Sequence, residues 1–320
     1  MKSFVVSALA AIASAKVLSQ NDFDFVNFIA THGKSYNSLD EYNLRFERFT
    51  ATQQAINLFN ATEQSSTHGH NFLSDLTAEE KTKILGLKNM ALPERKPNTP
   101  IFTANGLEAL PASVNWCTAG KCNAVKDQQQ CGSCWAFASI AVLESAHAIF
   151  KGTLYSLSEQ QLVSCSSSYG NQGCNGGWYY YAWDYAVTYS VESGSAYPYT
   201  SGTGVTGTCK YVSSQGLVNS ISQTDVGTDT TSIKTAIAQQ PVAVAIEADT
   251  SYFQSYTSGV LTNAAACGSN IDHAVTAVGY GTDATYGGYY IVRNSWGTGW
   301  GSKGYVNIGQ ANNPGICGIN

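Results

Sequence analysis

The chain has 320 residues, of which 43% are hydrophobic and 12% charged, and its formal net charge is −5 at pH 7. A chain of this length and composition can bury the core of one large domain or two smaller ones, which excludes a disordered protein. The small negative charge and the lack of a long basic run argue against a nucleic-acid partner.

Residues 1–15 have the pattern of a secretory signal peptide. Lys2 is followed by an apolar stretch over 4–12, and Ala13-Ser14-Ala15 has the small residues of a cleavage site. A membrane anchor is the alternative, but the apolar stretch is too short to span a bilayer comfortably. We therefore expect cleavage after Ala15 and no membrane attachment afterwards. The protein is expected to enter the secretory pathway and to end in a lysosome, in a vacuole or outside the cell.

Two helices are predicted in the cysteine-free stretch that follows the signal. Phe23, Phe25, Phe28 and Ile29 indicate a first, short helix. A second, longer helix is indicated by side chains that recur near one face, namely Glu41, Arg45, Phe49, Ile56 and Asn60. The proline-rich segment 91–100 cannot continue a helix, so we expect it to be an exposed linker.

From residue 110 onward the chain is predicted to contain first helices and then strands. The segment 134–150 has the length and apolar spacing of a buried helix, and 156–165 suggests a short helix capped by Ser156 or Ser158. Four β-branched and aromatic runs, cut by glycine, predict strands within 241–248, 273–281, 288–296 and 304–309. This order favours an α+β fold with a cleft between two lobes.

The nine cysteines all lie at or after Cys117. A secreted chain matures in an oxidising compartment where cysteines pair, so an odd number leaves at least one thiol free. The free thiol can be an incidental buried group or a nucleophile.

Cys131 and Cys134 form a C-x-x-C pair with three possible interpretations. A redox couple of the thioredoxin type requires a preceding strand, which the sequence does not indicate. A zinc site requires a second ligand pair, and Cys117 with Cys122 is a poor one. In the third interpretation one cysteine is bridged and the other attacks a substrate, which requires a base and an orienting group. His273 and Asn294, which flank predicted strands, are the candidates.

Cys131-Gly132-Ser133-Cys134-Trp135 matches the nucleophile signature of the papain-like cysteine proteases, with His273 and Asn294 lying 139 and 160 residues downstream of Cys134. Within this family, the chain resembles the cathepsin L-like group most closely. Further blocks match the family in order, namely 110–116, 157–165, 173–178, 272–281, 294–301 and 304–308. Before them, 32–36 and the stripe of the second helix resemble the family's propeptide, as do Gly69, Asn71 and Asp75.

The resemblance implies a two-lobed papain-like fold with a helical lobe and a β-barrel-like lobe, preceded by a helical inhibitory propeptide. It divides the chain into a signal peptide (1–15), a propeptide (16–106) and a peptidase domain (107–320). The implied activity is that of a cysteine endopeptidase synthesised as an inactive proenzyme, with no cofactor and no metal. Acid is expected to trigger activation by protonating propeptide carboxylates.

The resemblance also implies the catalytic roles. Cys134 would be the nucleophile, His273 its ion-pair partner and the acid for the leaving amine, and Asn294 the group that orients the imidazole. Gln128 would donate its side-chain amide to the oxyanion together with the backbone N–H of Cys134. Trp296 would shield the His273–Asn294 contact from water.

The remaining site residues follow in the same way. Gly176 and Gly177 would lie along the cleft, and Trp300 on the leaving-group side. Trp178, Tyr179, Ala245, Ile271 and Ala274 would line an apolar pocket for the P2 residue. The implied disulfides are Cys131–Cys174, Cys165–Cys209 and Cys267–Cys317, and Cys117–Cys122 is predicted as a fourth.

The expected partners are polypeptide substrates, the chain's own propeptide and cystatin-like inhibitors, and we expect a monomer. Two rival functions remain: a non-catalytic relative that retains the fold, and a disulfide oxidoreductase that uses Cys131 and Cys134. One departure from the family is Gln129, which stands where glycine is usual. If the backbone there requires a positive φ, this residue is strained.

Overall fold

The computed structural model describes residues 19–94, 99–104, 110–220 and 222–320. The predicted signal peptide and the boundary between 106 and 107 lie outside these residues, as does part of the predicted linker. The helices are α1 (Gln20–Thr31), α2 (Leu39–Thr62), α3 (Ala78–Thr82), α4 (Cys134–Phe150), α5 (Glu159–Cys165), α6 (Tyr179–Thr188), α7 (Thr230–Gln239), α8 (Ser251–Gln254) and α9 (Ala264–Cys267).

The strands are short except in the last third of the chain. They are β1 (Ser66–His68), β2 (Ile101–Phe102), β3 (Val114–Asn115), β4 (Val191–Glu192), β5 (Gly216–Val218), β6 (Asp225–Val226), β7 (Val242–Ile246), β8 (Tyr256–Leu261), β9 (His273–Asp283), β10 (Gly287–Arg293) and β11 (Tyr305–Gly309). The four predicted strand runs correspond to β7, β9, β10 and β11. The fold is α+β, as predicted.

The two predicted N-terminal helices are α1 and α2. The Ser19 hydroxyl caps α1 in a capping box with Asp22, and the Ser38 hydroxyl accepts the N–H of Glu41 at the start of α2. Phe25 is fully buried between the two helices, where its ring packs on those of Phe28, Tyr36, Tyr42, Phe46 and Phe49. These aromatic side chains give the N-terminal part its own small core.

The central helix α4 covers the predicted range and is buried on most sides. A helix that is apolar all round belongs inside a protein, and α4 packs against α5 and α6 on one side and against β7 and β9 on the other. Between α4 and α6, α5 begins after Ser158, whose hydroxyl accepts the N–H of Gln161 at 3.0 Å. Of the two predicted capping residues, Ser158 is therefore the cap.

A seven-stranded sheet forms the second lobe. Its order is β1-β8-β11-β10-β9-β3, and β7 also pairs with β9. β1 belongs to the N-terminal part of the chain and pairs antiparallel with β8, so the propeptide-like region extends the sheet of the second lobe. The sequence did not predict this strand. No helix within the described ranges has both the length and the apolarity to cross a membrane.

Four disulfides link the chain between Cys117 and Cys317, and they are the pairs Cys117–Cys122, Cys131–Cys174, Cys165–Cys209 and Cys267–Cys317. Three of them close loops of 43, 44 and 50 residues, for which a stabilisation of about 2–4 kcal/mol each is typical. All nine cysteines lie in described ranges, and Cys134 is the free one. A redox couple of Cys131 and Cys134 is thereby excluded for this folded state.

Candidate active site

The free thiol lies at the start of the central helix. Cys134 is the first residue of α4, and the preceding Ser133 makes no side-chain capping bond. The sulfur accepts the backbone N–H of Ala274 at 3.4 Å, and the N–H groups of Trp135 and Gly86 also point to it. A helix N-terminus and three N–H donors all favour negative charge on this sulfur.

The imidazole of His273 is held by an amide. Its Nε2 lies 2.8 Å from Oδ1 of Asn294, and the same oxygen accepts the backbone N–H of Ser295 at 2.8 Å. Because that oxygen can only accept, Nε2 carries the proton and the Nδ1 of the neutral ring is left as an acceptor. Nδ1 is buried and has no hydrogen-bond partner among the described residues. The ring of Trp296 covers the imidazole at 4.8 Å between centroids.

The strand lobe brings these groups to the helix. His273 opens β9 opposite Ile246 of β7, and Asn294 follows the last residue of β10. Ala274, the residue after His273, supplies the N–H that reaches the Cys134 sulfur. The bond from Ala274 to the Cys134 sulfur and the bond between His273 and Asn294 therefore place all three residues where α4 packs on β9.

Gln128 is fully buried and fixed at both ends of its amide. Its Oε1 accepts the hydroxyl of Ser295 at 2.6 Å, while its Nε2 donates to the carbonyl oxygens of Cys131 at 2.8 Å and Ile84 at 2.7 Å. One N–H of this amide thus points into the cleft, where the carbonyl group of Ile84 takes it.

Residues 84–91 cross the cleft, and we refer to this segment as the strap. The N–H of Leu87 donates to the carbonyl oxygen of Asp272 at 2.9 Å, and the carbonyl oxygen of Gly86 accepts from Gly177 at 3.1 Å. A Cβ at Gly86 would lie 2.2 Å from the carbonyl oxygen of Gly132 and 3.0 Å from the Cys134 sulfur. Only glycine allows so close an approach, so the strap covers the thiol with bare backbone.

Burial under the strap keeps the thiol and the imidazole neutral. It raises the pKa of Cys134 to about 11, although the N–H donors of Ala274 and Gly86 oppose it. It also lowers the pKa of His273 to about 4 against the opposing hydrogen bond to Asn294. A charged thiolate–imidazolium pair is disfavoured in this covered state, because both charges would be taken out of water.

Four of the predicted pocket residues line one cavity of about 720 Å³, namely Trp178, Tyr179, Ala245 and Ile271. The predicted cleft glycines lie against the strap: a Cβ at Gly176 would be 2.5 Å from the Gly86 oxygen. The indole N–H of Trp178 donates to the carbonyl oxygen of Ala91 at 2.8 Å, at the far end of the strap.

Three further residues that were predicted to lie at the substrate site do not line that cavity, namely Ala274, Trp296 and Trp300. Ala274 belongs to the same buried apolar cluster as Leu87 of the strap. Trp296 and Trp300 pack against each other and against Phe253 in the core of the strand lobe. The indole N–H of Trp300 donates to the carbonyl oxygen of Gln254 at 3.0 Å.

Asp272 is a site residue that the sequence analysis missed. Besides its backbone contact to the strap, its carboxylate accepts the N–H of Ala248 at 2.8 Å, and burial raises its pKa to about 7. The available signals were its position directly before His273 and its place at the start of the matching block 272–281. In the described part of the chain no group of three or more His, Cys, Asp or Glu residues could hold a metal ion.

Gln129 adopts the backbone conformation for which the sequence raised the question of strain. Its φ is 53°, in the left-handed region where non-glycine residues are uncommon. Its N–H donates to the carboxylate of Asp127 at 2.8 Å, which supports this turn beside Gln128.

The fold and the site define a class of protein: a thiol–imidazole enzyme whose thiol is covered by a segment of its own chain. Comparison with known proteins agrees in both parts of the chain. Residues 110–320 match the family described as papain family cysteine protease, and residues 25–80 match the cathepsin propeptide inhibitor domain.

Individual relatives match over nearly the whole chain. The chain is 40% identical to cysteine proteinase RD21A of Arabidopsis thaliana over 300 residues. The matched part is 91% of this chain and 63% of that protein. The germination-specific cysteine protease 1 of the same plant is 39% identical over 317 residues, 92% of this chain and 81% of that one. Among solved structures, digestive procathepsin L 3 of Tenebrio molitor superposes with a TM-score of 0.82 at 36% identity, covering 94% of this chain and 97% of the other.

The chain belongs to the papain family of cysteine proteases. It is a cysteine-type endopeptidase that carries the family's propeptide inhibitor domain, and its relatives include cathepsin L-like enzymes.

Proposed function

We propose that Cys134 is the nucleophile of this endopeptidase, with His273 as its proton partner and Asn294 as the group that orients the ring. One observation carries this assignment. The Cys134 sulfur accepts the N–H of Ala274 while the neighbouring His273 presents a bare Nδ1, its Nε2–H being held by Asn294. A thiol needs such an acceptor to become a thiolate.

Removal of the strap would change the charge state of the pair. Water would reach the groups whose burial now holds the pKa of Cys134 up and that of His273 down. The proton of the thiol would then move to Nδ1 of His273, and the helix N-terminus would stabilise the resulting thiolate. The covered proenzyme and the open enzyme would thus differ in charge as well as in access.

The chemical step follows from this pair. The thiolate sulfur would bond to the scissile carbonyl carbon, and the C=O electron pair would move to the oxygen. The side-chain N–H of Gln128 and the backbone N–H of Cys134 would donate to that oxyanion. The Nδ1 proton of His273 would pass to the leaving amine as the C–N bond breaks. Water activated by the neutral ring would then release the acid and return the thiol.

Polypeptide substrates would bind where the strap now lies. The N–H of Gly177 can donate to an extended substrate backbone, and the carbonyl oxygen of Asp272 can accept from it. In the covered state Gly86 takes the first group and Leu87 takes the second. Trp178, Tyr179, Ala245, Ile271 and Ala274 would surround an apolar P2 side chain such as Leu, Phe or Val. Trp300 would lie on the leaving-group side, and Trp296 would shield the His273–Asn294 contact from water.

We assign residues 1–15 to the signal peptide, 16–106 to the inhibitory propeptide and 107–320 to the peptidase domain. Cleavage near 100–110 would release activity, in a lysosome, a vacuole or the extracellular space. Cystatin-like inhibitors would compete for the open cleft, and the enzyme would act as a monomer.

The purified proenzyme tests the assignment of the nucleophile. Self-processing at acid pH should occur in the unmodified chain and stop in Cys134→Ala, while a peptide-epoxide thiol reagent should label Cys134 alone after processing. Processing of Cys134→Ala at the unmodified rate, with no second protease present, would contradict the proposal. Mapping of alkylated thiols in the mature chain also separates the rival functions, because an oxidoreductase would expose two.

A further inference from the structure

Residues 99–104 make a second contact with the peptidase region, apart from the strap. β2 pairs in parallel with β6, with Ile101 opposite Asp225 and Phe102 opposite Val226. The N–H of Asp225 donates to the carbonyl oxygen of Pro100 at 3.0 Å, and the N–H of Gly227 to that of Phe102 at 2.8 Å. The segment is therefore held as a strand in a two-stranded parallel ladder with β6.

The contact continues beyond the two paired residues. The N–H of Ala104 donates to the hydroxyl of Ser232 at 3.0 Å, in the first turn of α7. Three backbone groups over five residues, 100–104, are thus bonded to β6 and α7. These are main-chain contacts, so they select for an extended peptide and not for a particular sequence.

The side chains of β2 point to different environments. Phe102 lines the cavity of about 720 Å³ together with Val226, Ile233 and Trp183, whereas Ile101 is 48% exposed. The cavity remains this large with Phe102 present, and it continues to Ala245 and Ile271 of the proposed P2 pocket. Phe102 therefore fills only part of an apolar groove that joins the catalytic cleft.

We propose that the edge of β6, with the groove beside it, is a peptide-binding exosite that takes an extended segment with an aromatic side chain at the position of Phe102. In the proenzyme its occupant is the chain's own segment 100–104. The backbone N–H groups of Asp225 and Gly227 provide affinity, and the groove provides the preference for an aromatic side chain. The exosite is a binding surface, so it does not depend on the proposed catalytic roles.

Hydrogen exchange in the full-length Cys134→Ala chain tests the exosite without any contribution from catalysis. Adding Phe102→Ala should speed amide exchange in a fragment spanning residues 222–228 by about tenfold or more. The matched variant Ile101→Ala removes an exposed side chain of the same strand and should leave exchange within about twofold of the parent. Equal exchange in the two variants would overturn the proposal.

A rescue experiment asks whether the surface binds a peptide in trans. The synthetic hexapeptide TPIFTA, residues 99–104, should restore protection of 222–228 in the Phe102→Ala chain at millimolar concentration. The peptide TPIATA should not restore it. Protection by both peptides alike, or by neither, would exclude an aromatic-selective exosite, whatever the outcome of the processing experiments.

Discussion

The backbone carbonyl oxygen of Ile84 accepts a 2.7 Å hydrogen bond from the side-chain amide of Gln128. The strap therefore occupies the donor that we assign to the substrate oxyanion. Beside it, Gly86 and Leu87 take the backbone groups that we assign to substrate binding. We infer that the strap inhibits by occupying these groups, so that the backbone of a substrate cannot bind them.

Replacement of Gly86 should weaken this inhibition. The Cβ of Gly86→Ala would lie 2.2 Å from a backbone oxygen of Gly132, so the strap must lift. We expect self-processing to be faster by about tenfold, in line with the typical 1–3 kcal/mol of an overpacked contact. Gly299→Ala is the matched control, because a Cβ there meets no atom within 4 Å. An unchanged processing rate in Gly86→Ala would show that the strap does not limit activation.

Loss of the Gln128 amide should slow the chemical step. Gln128→Ala removes one oxyanion donor, which typically lowers kcat by about 10²–10³-fold with little change in KM. Steady-state kinetics on a peptide substrate after complete processing would measure this. A fall in kcat of less than about threefold would assign Gln128 to structure alone.

Two histidines, the buried His68 and the partly buried His70, predict that acid destabilises the proenzyme. Burial lowers the pKa of both His68 and His70 to about 4, from an ordinary value of 6.5. Between these values the unfolded chain binds more protons than the folded one, so stability falls as the pH falls from 6.5 to 4. Glu80 does not share this window, because its hydrogen bond to Arg45 lowers its pKa to about 2.

His68 lies at the propeptide interface and is the sharper test of the two. Its ring nitrogens lie 3.0 Å from the hydroxyls of Ser66 and Ser255, and its ring packs against Tyr252. His68→Gln should move the midpoint of acid-induced propeptide release lower by on the order of one pH unit. Intrinsic fluorescence against pH in the Cys134→Ala chain would show it. An unchanged midpoint in both His68→Gln and His70→Gln would favour carboxylates as the trigger.

The buried ion cluster of Lys126 with Glu144 of α4 and Glu159 of α5 should be needed for stability. The ammonium of Lys126 donates to Glu144 at 2.8 Å and to Glu159 at 2.5 Å, and both carboxylates are buried. Lys126→Met leaves two like charges without their cation, which typically costs about 3–5 kcal/mol. Lys151→Met, at an exposed position, is the control in thermal unfolding. Equal Tm values for the two variants would contradict this role.

Replacement of Gln129 by glycine should stabilise the folded protein. Its φ of 53° costs a non-glycine residue about 1–2 kcal/mol, part of which the greater freedom of unfolded glycine cancels. We expect Gln129→Gly to raise the free energy of unfolding by about 0.5–1 kcal/mol. Denaturant unfolding measures this free energy. A lower free energy of unfolding in Gln129→Gly would contradict the prediction and would show that the Gln129 side chain contributes more to stability than its backbone strain costs.

The sequence predicted the elements that carry strong local patterns. The apolar run of α4, the presence of a serine cap before α5 and the β-branched strands β9 and β10 follow from periodicity and capping alone. The choice of Ser158 over Ser156 as the cap came from the structure. The placement of Cys134, His273 and Asn294 followed from a family signature together with their order in the chain. These features are local or are tied to short motifs, so they can be predicted from one sequence without knowledge of the tertiary structure.

Long-range contacts of irregular backbone could not be predicted in this way. The pairing of β1 with β8, the bond of Leu87 in the strap to Asp272 and the pairing of β2 with β6 each join chain segments more than 100 residues apart. Backbone hydrogen bonds carry almost no sequence signature, so no motif marked Gly86, and the block that contains Asp272 gave no sign of its contact with the strap. The close approach of Gly86 to Cys134 becomes visible only when both segments are in place.

The reactivity of Cys134 as a function of pH tests the central claim most directly. Alkylation rates by iodoacetamide, measured from pH 4 to 11 and located by mass spectrometry, report the thiolate. After processing, Cys134 should react rapidly well below pH 7, and in the covered proenzyme it should stay unreactive until the pH approaches its pKa of about 11. The same pH profile before and after processing, or a mature Cys134 that reacts only above pH 8, would contradict the proposed ion pair with His273.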